Sequence, residues 1–231
     1  MCDATTPQVQ AWRGLFEQYA SDLPTGVLLN WIAVESCGNP CSMPQSTIVS
    51  MGGEIGIAQL DLGNRVQAGV TAEALRAACA GSSEQLARPL TDDERLVQVT
   101  STRTYANVLR AQTHQALQGL SWDDESTADF WAMMKMIHTV GAGNSINRIP
   151  QATQILGHPP SSWAEFRSAI EPTGAVASKW FNLAEGVGQG GAGFQAPLFA
   201  APSSNQLWAI AGIGLLAGAL ASLHRLFKTA R

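Results

Sequence analysis

Charge is scarce in this chain. Only 14% of its 231 residues are Asp, Glu, Lys or Arg, and the 18 acidic side chains outnumber the 14 basic ones. No cluster of Lys and Arg interleaves with aromatics, and the net charge is -4, so the electrostatic footprint of a nucleic-acid binder is missing and that class is set aside. Alternation of apolar and polar residues is almost absent between Pro7 and Glu185, which argues against strands. Met1 to Gly14 contains Asp3, Pro7 and scattered Thr and Gln, with no basic segment leading into an apolar core. It does not read as a signal peptide. Zinc would need a second close Cys or His pair beside Cys37 and Cys41, and there is none, so neither a metal nor a cofactor is expected.

What remains is a helical pattern. Pro7 to Ala20 spaces Val9, Trp12, Leu15, Phe16 and Tyr19 at three- and four-residue intervals, and Asp22 with Pro24 restarts a helix through Leu28, Trp31 and Ile32 to Glu35. Gly38 and Pro40 stop it. Residues Met43 to Gly63 read as loop, and Thr71 to Ala80 as a short helix. Thr91 followed by Asp92, Asp93 and Glu94 supplies the acidic first turn of a long helix to about Leu117. Further helices are expected over Ser126 to Thr139, from near Ser161, and over Gly174 to Glu185. The expected fold class is all-α, one helical domain over residues 1–185.

Residues 186–206 then shift to Gly, Ala, Pro, Ser and Gln without a single charge, the composition of a flexible linker. Gly186, Gly188 and Gly191 match G-x-G-x-x-G, but a helix precedes them where a phosphate-binding loop would follow a strand. Leu207 to Leu223 is uncharged and, at about 1.5 Å per residue, spans roughly 26 Å as a helix. Residues 207–227 therefore read as a transmembrane helix with a basic tail to 231, or else as a buried or oligomerising helix. His224, Arg225, Lys228 and Arg231 would sit on the cytoplasmic side and the helical domain outside.

Of the four cysteines, Cys37 and Cys41 are close enough to bridge locally in an oxidising compartment; buried free thiols are the alternative. Between them and Trp31 stands Glu35, in line with Leu28 and Ile32 on the apolar stripe of its helix and on its last turn. Burial and the negative end of the helix dipole would both raise its pKa, as a general acid for glycosidic cleavage requires. Trp122, Trp131 and Trp163 fall on helices and read as core.

The stretch Leu29-Asn30-Trp31-Ile32-Ala33-Val34-Glu35-Ser36-Cys37-Gly38-Asn39-Pro40 resembles the first motif of lytic transglycosylases with a goose-type-lysozyme-like fold, an apolar helix ending in Glu-Ser and followed by Asn-Pro. Gly53-Glu54-Ile55-Gly56-Ile57-Ala58-Gln59-Leu60 resembles the second, a glycine loop ending in Gly-x-x-Gln. The third, Ala-Tyr-Asn-Ala-Gly, is only partly matched by Ile137-His138-Thr139-Val140-Gly141-Ala142-Gly143-Asn144, where His138 replaces the tyrosine and Thr139 the asparagine. The resemblance covers roughly the first 150 residues, most closely to about Leu60.

It implies a lysozyme-like helical fold and bacterial peptidoglycan as substrate. Glu35 would protonate the oxygen between N-acetylmuramic acid and N-acetylglucosamine, then take a proton from the muramic C6 hydroxyl as a 1,6-anhydro ring closes. Ser36, Ile57, Gln59, His138 and Thr139 would orient the acid and hold the sugar. If Glu54 or Asp61 lies across a cleft and activates water, the product is instead a hydrolysed end, as in a muramidase. A membrane-anchored assembly protein that keeps the fold without turnover is a reading of a different class. A virion protein that opens the wall for genome entry combines the domain, the missing leader and the apolar tail; a secretion or pilus apparatus needs the same local hole, and either setting brings other proteins of the assembly as partners.

Overall fold

Thr91 accepts a hydrogen bond from the Glu94 N–H while the Glu94 carboxylate accepts from the Thr91 N–H. That reciprocal cap starts the longest helix among the described residues at the place its acidic turn indicates. In the computed structural model, which describes residues 2–42, 53–81 and 84–195, ten α-helices are present: α1 Pro7–Gln10, α2 Arg13–Tyr19, α3 Thr25–Ser36, α4 Leu62–Ala68, α5 Ala72–Leu75, α6 Asp92–Leu117, α7 Ala128–Val140, α8 Ala142–Leu156, α9 Trp163–Ile170 and α10 Ser178–Gly188. No strand occurs among the described residues, only two isolated bridges, Ile55 with Leu60 and Cys79 with Leu86. The all-α expectation holds.

Two helices form the centre because they are apolar on almost every side. In α3, Val27, Leu28, Leu29, Trp31, Ile32 and Ala33 are buried; in α7, every residue from Phe130 to Ile137 is. Trp122, Trp131 and Trp163 are core, and their indole N–H groups are satisfied: Trp122 donates to Pro160 O, Trp131 to Glu125 O and Trp163 to Glu185.

Several boundaries differ from those read in the sequence. The helix expected from Pro7 to Ala20 is broken at Ala11 and Trp12, because Trp12 turns inward and its indole donates to Gly38 O. The helix expected over Thr71 to Ala80 ends at Leu75. Residues 142–156, for which periodicity sets no expectation, form α8, capped by Gly141 at φ 87° and carrying Pro150 inside. The two glycines and the proline disguise it.

The helix expected to end at Glu185 continues to Gly188, and residues 186–195, read as the start of a linker, belong to the packed helical unit. Their glycines are contact surfaces: a Cβ on Gly188 would strike Ala128 and Ala132, one on Gly190 the backbone of Gly26, and one on Gly191 the Trp131 ring. Absence of charge here reflects close packing as well as a tether's composition. The apolar segment 207–223 lies outside the described residues, among which no helix is long and apolar enough to cross a membrane.

The cysteine pairing also differs from the local Cys37–Cys41 bridge. Cys37 is bonded to Cys2, and Cys41 to Cys79. Cys37 sits in the left-handed conformation at the end of α3, φ 57°, and the N-terminal segment runs back to meet it. The bridges close loops of 35 and 38 residues in sequence separation, for which chain entropy gives a stabilisation of about 3–4 kcal/mol each. A Cys41→Ser/Cys79→Ser double substitution is expected to lower unfolding free energy by about that amount, measured by urea titration of both proteins without reductant.

Candidate functional site

Ser36 closes the last turn of α3, and its hydroxyl joins the first motif to the second. It donates to Ile57 O at 2.7 Å and accepts from the Gly38 N–H at 3.1 Å. The segment it reaches is a tight turn. Ile55 and Leu60 exchange backbone hydrogen bonds, and Gly56 (φ 79°) and Gln59 (φ 51°) both occupy the left-handed region. Buried polar groups hold this turn from several sides: Gln98 accepts from the Ile57 N–H, and Arg65 donates to Gly53 O and Leu60 O. The Gln59 amide donates to Ser42 O and Gly56 O.

Three residues expected to orient the acid and hold the sugar make these bonds within the turn. Ser36, Ile57 and Gln59 are all buried, at 6%, 0% and 2% exposure, and none lines the adjacent groove. They brace the turn. Gln59 Oε1 is buried without a partner, which fits a residue used for its two donors.

The groove itself, about 330 Å³, is lined by Glu54, Asp61, Asn64, Gln67, Tyr105, Leu109, Gln112, Ile137, His138, Thr139, Gly141 and Ala142. Amide, hydroxyl and carboxyl groups dominate it, a donor and acceptor set suited to a hydroxyl-rich ligand. Asp61 lines it while also capping α4 through the Asn64 N–H at 2.7 Å. Thr139 donates to Lys135 O within its own helix.

Glu35 is not among the lining residues but touches one of them. Its Oε1 lies 3.3 Å from His138 Nε2, and the same oxygen is ion-paired with Lys135. The Glu35 side chain is 19% exposed and that of Lys135 only 3%. Around them Trp31, His138 and Tyr105 form an aromatic cluster, with the Trp31 and His138 rings 4.9 Å apart and His138 Nδ1 3.5 Å from the Tyr105 hydroxyl.

This reverses the electrostatics expected of Glu35. Burial does press its pKa upward, but the Lys135 ammonium, with a hydrogen bond from His138, outweighs it and holds the carboxyl at about 2 instead of 4.5. His138 is pushed down by burial and by Lys135, which favours the neutral ring. Tyr105 is pushed up by burial and by the charges of Asp61 and Glu35. Glu54, at the groove rim, is pushed up by partial burial and by Glu35 and Asp61.

Lys135 and Tyr105 are the site residues that the sequence motifs do not single out. Lys135 had one available signal, a lone cation inside the apolar run from Phe130 to Ile137. Tyr105 had none beyond its place on α6. Among the described residues, no group of three or more His, Cys, Asp or Glu is placed to hold a metal ion. Comparison with known protein families, curated proteins and solved structures returns no match.

The depressed pKa of Glu35 carries a stability consequence with a definite sign. A carboxyl held below its unfolded value stabilises fully above about pH 4.5, and the contribution, on the order of 3 kcal/mol, is lost as pH falls toward 2. Glu35→Gln leaves the Lys135 ammonium buried and unpaired, so it is expected to cost roughly 3–5 kcal/mol at neutral pH. The gap from wild type should narrow on acidification, as read by urea unfolding at about pH 7, 4 and 2.5.

Proposed function

We propose that this chain cleaves the glycan strands of bacterial peptidoglycan as a lytic transglycosylase, with Glu35 as its general acid and base and a lysozyme-like arrangement of helices around it. The supporting observation is the convergence of the three resembling segments. The Glu-Ser end of α3 is hydrogen-bonded to the Gly-x-x-Gln turn, and its carboxylate meets His138 of the third segment, next to a polar groove.

In this reading Glu35 protonates the oxygen between N-acetylmuramic acid and N-acetylglucosamine, and the sugar's own C6 hydroxyl attacks C1 as Glu35 takes its proton. An internal nucleophile supplies proximity without a water-activating carboxylate. Asn64, Gln67 and Gln112 on the groove walls offer amide donors and acceptors to the sugars. His138 and Thr139, which replace the tyrosine and asparagine of the family pattern, stand at the groove beside Tyr105.

Hydrolysis is the second reading, and Glu54 favours it. Partial burial and the charges of Glu35 and Asp61 push its pKa up while Lys135 holds that of Glu35 down, so the two carboxyls differ in acidity, the kind of split that paired acid and base roles use. The setting belongs to the same proposal: local opening of a cell wall by a virion protein or a secretion apparatus, anchored through residues 207–227 with the catalytic unit on the extracytoplasmic side. Recovery of the full chain in the detergent-soluble membrane fraction supports the anchor, and recovery in buffer alone opposes it.

Incubation of the full chain with purified peptidoglycan, with products identified by mass, separates the chemistries. Anhydro-muropeptides are expected; reducing ends would transfer the assignment to a muramidase, and absence of release to an assembly protein without turnover. Glu35→Gln is expected to lose at least ~100-fold in rate, the scale of a missing general acid, whereas a loss of that size in Glu54→Gln with reducing-end products identifies the two-carboxylate route.

A further inference from the structure

Lys135 has no task in that chemistry, yet it is the costliest side chain near it. Its ammonium is almost wholly buried, in a helix whose neighbouring positions, Met133, Met134, Met136 and Ile137, are apolar and equally buried. A buried ammonium is tolerated only with a counter-ion, and the partner here is Glu35. His138, three residues further along α7, touches the same oxygen from the same face.

The groups whose charges bear on this pair come from every side. Tyr105 faces it from α6, and Glu54 and Asp61 from the turn and the start of α4. All of these are acids, and burial and Lys135 push His138 toward its neutral form. Lys135 is thus the cation paired with the Glu35 carboxylate.

We propose that Lys135 is a positioning residue that holds the Glu35 carboxylate against α7 beside the groove until a bound glycan turns it outward and away from the ammonium. The inference rests on Glu35 being the proton donor. As the carboxylate leaves the ammonium and sugar displaces water around it, Glu35 takes a proton from solvent hydronium. That proton passes to the glycosidic oxygen as its bond to C1 breaks, and the C6 hydroxyl returns one to Glu35 as its oxygen bonds to C1. The carboxyl leaves the cycle protonated, then gives its proton to solvent when product departs and the ion pair re-forms.

Lys135→Met in the full chain, with Lys135→Gln as a second variant should the first fail to fold, tests the lock by two measurements. The Glu35 carboxyl is titrated by carbon-13 NMR, which needs no turnover. Release of anhydro-muropeptides is followed across pH. With the cation gone, burial is opposed only by the contact with His138, so the Glu35 pKa is expected to rise by about 2 units. The alkaline limb of the rate profile should move up with it, and the rate near neutral pH should increase about tenfold. A purely structural ion pair would raise the Glu35 titration in the same way but leave the rate at neutral pH unchanged or lowered, so the rate is the deciding readout. An unmoved Glu35 titration, or a rate at neutral pH that fails to rise in a folded variant, overturns the proposal. Absence of product from wild type, from Glu35→Gln and from both lysine variants, with the titration shifted as expected, overturns the cleavage reading and leaves the hold of Lys135 on Glu35 standing.

Discussion

A single buried ion pair joins the two central helices, and the rest of the site is arranged around it. α3 and α7 are apolar on nearly all faces, and both pack chiefly against α10 and residues 189–191 rather than broadly against each other. Glu35 and Lys135 link the two directly, and loss of either charge would leave the other without its partner. The aromatic cluster of Trp31, Tyr105 and His138 packs beside the pair. The Gly-x-x-Gln turn is fastened to the end of the same helix through Ser36.

Helix class and most helix positions were legible because their signals are local. The acidic turn from Thr91 to Glu94, the Pro24 start and the stop at Gly38 each depend on a few neighbouring residues. What escaped reading depends on partners far along the chain. Gly190 looks like linker until Gly26 is found against it, and Trp12 breaks a periodic helix for a hydrogen bond to Gly38. Disulfide connectivity is of the same kind. Proximity in sequence favoured Cys37 with Cys41, whereas the fold carries Cys2 and Cys79 to them.

The candidate site was legible as a set of segments and misread in its charges. Glu35 was expected to be neutral because the residues around it on its own helix are apolar. A cation from α7, one hundred positions away in sequence, decides otherwise. Roles for Ser36 and Gln59 moved inward for a related reason: a turn with two left-handed residues needs internal donors, and these two supply them. Glu54, Asp61, His138 and Thr139 lie together along the groove.

Both sulfur cross-links fasten the chain immediately after Glu35, at positions two and six residues beyond it. In a thiol-rich cytosol those clasps stay open, and the exit from α3 is tethered only by hydrogen bonds. Rigid presentation of the carboxylate therefore matures with oxidation. The redox potential of the surroundings thus decides how firmly this corner of the molecule is set.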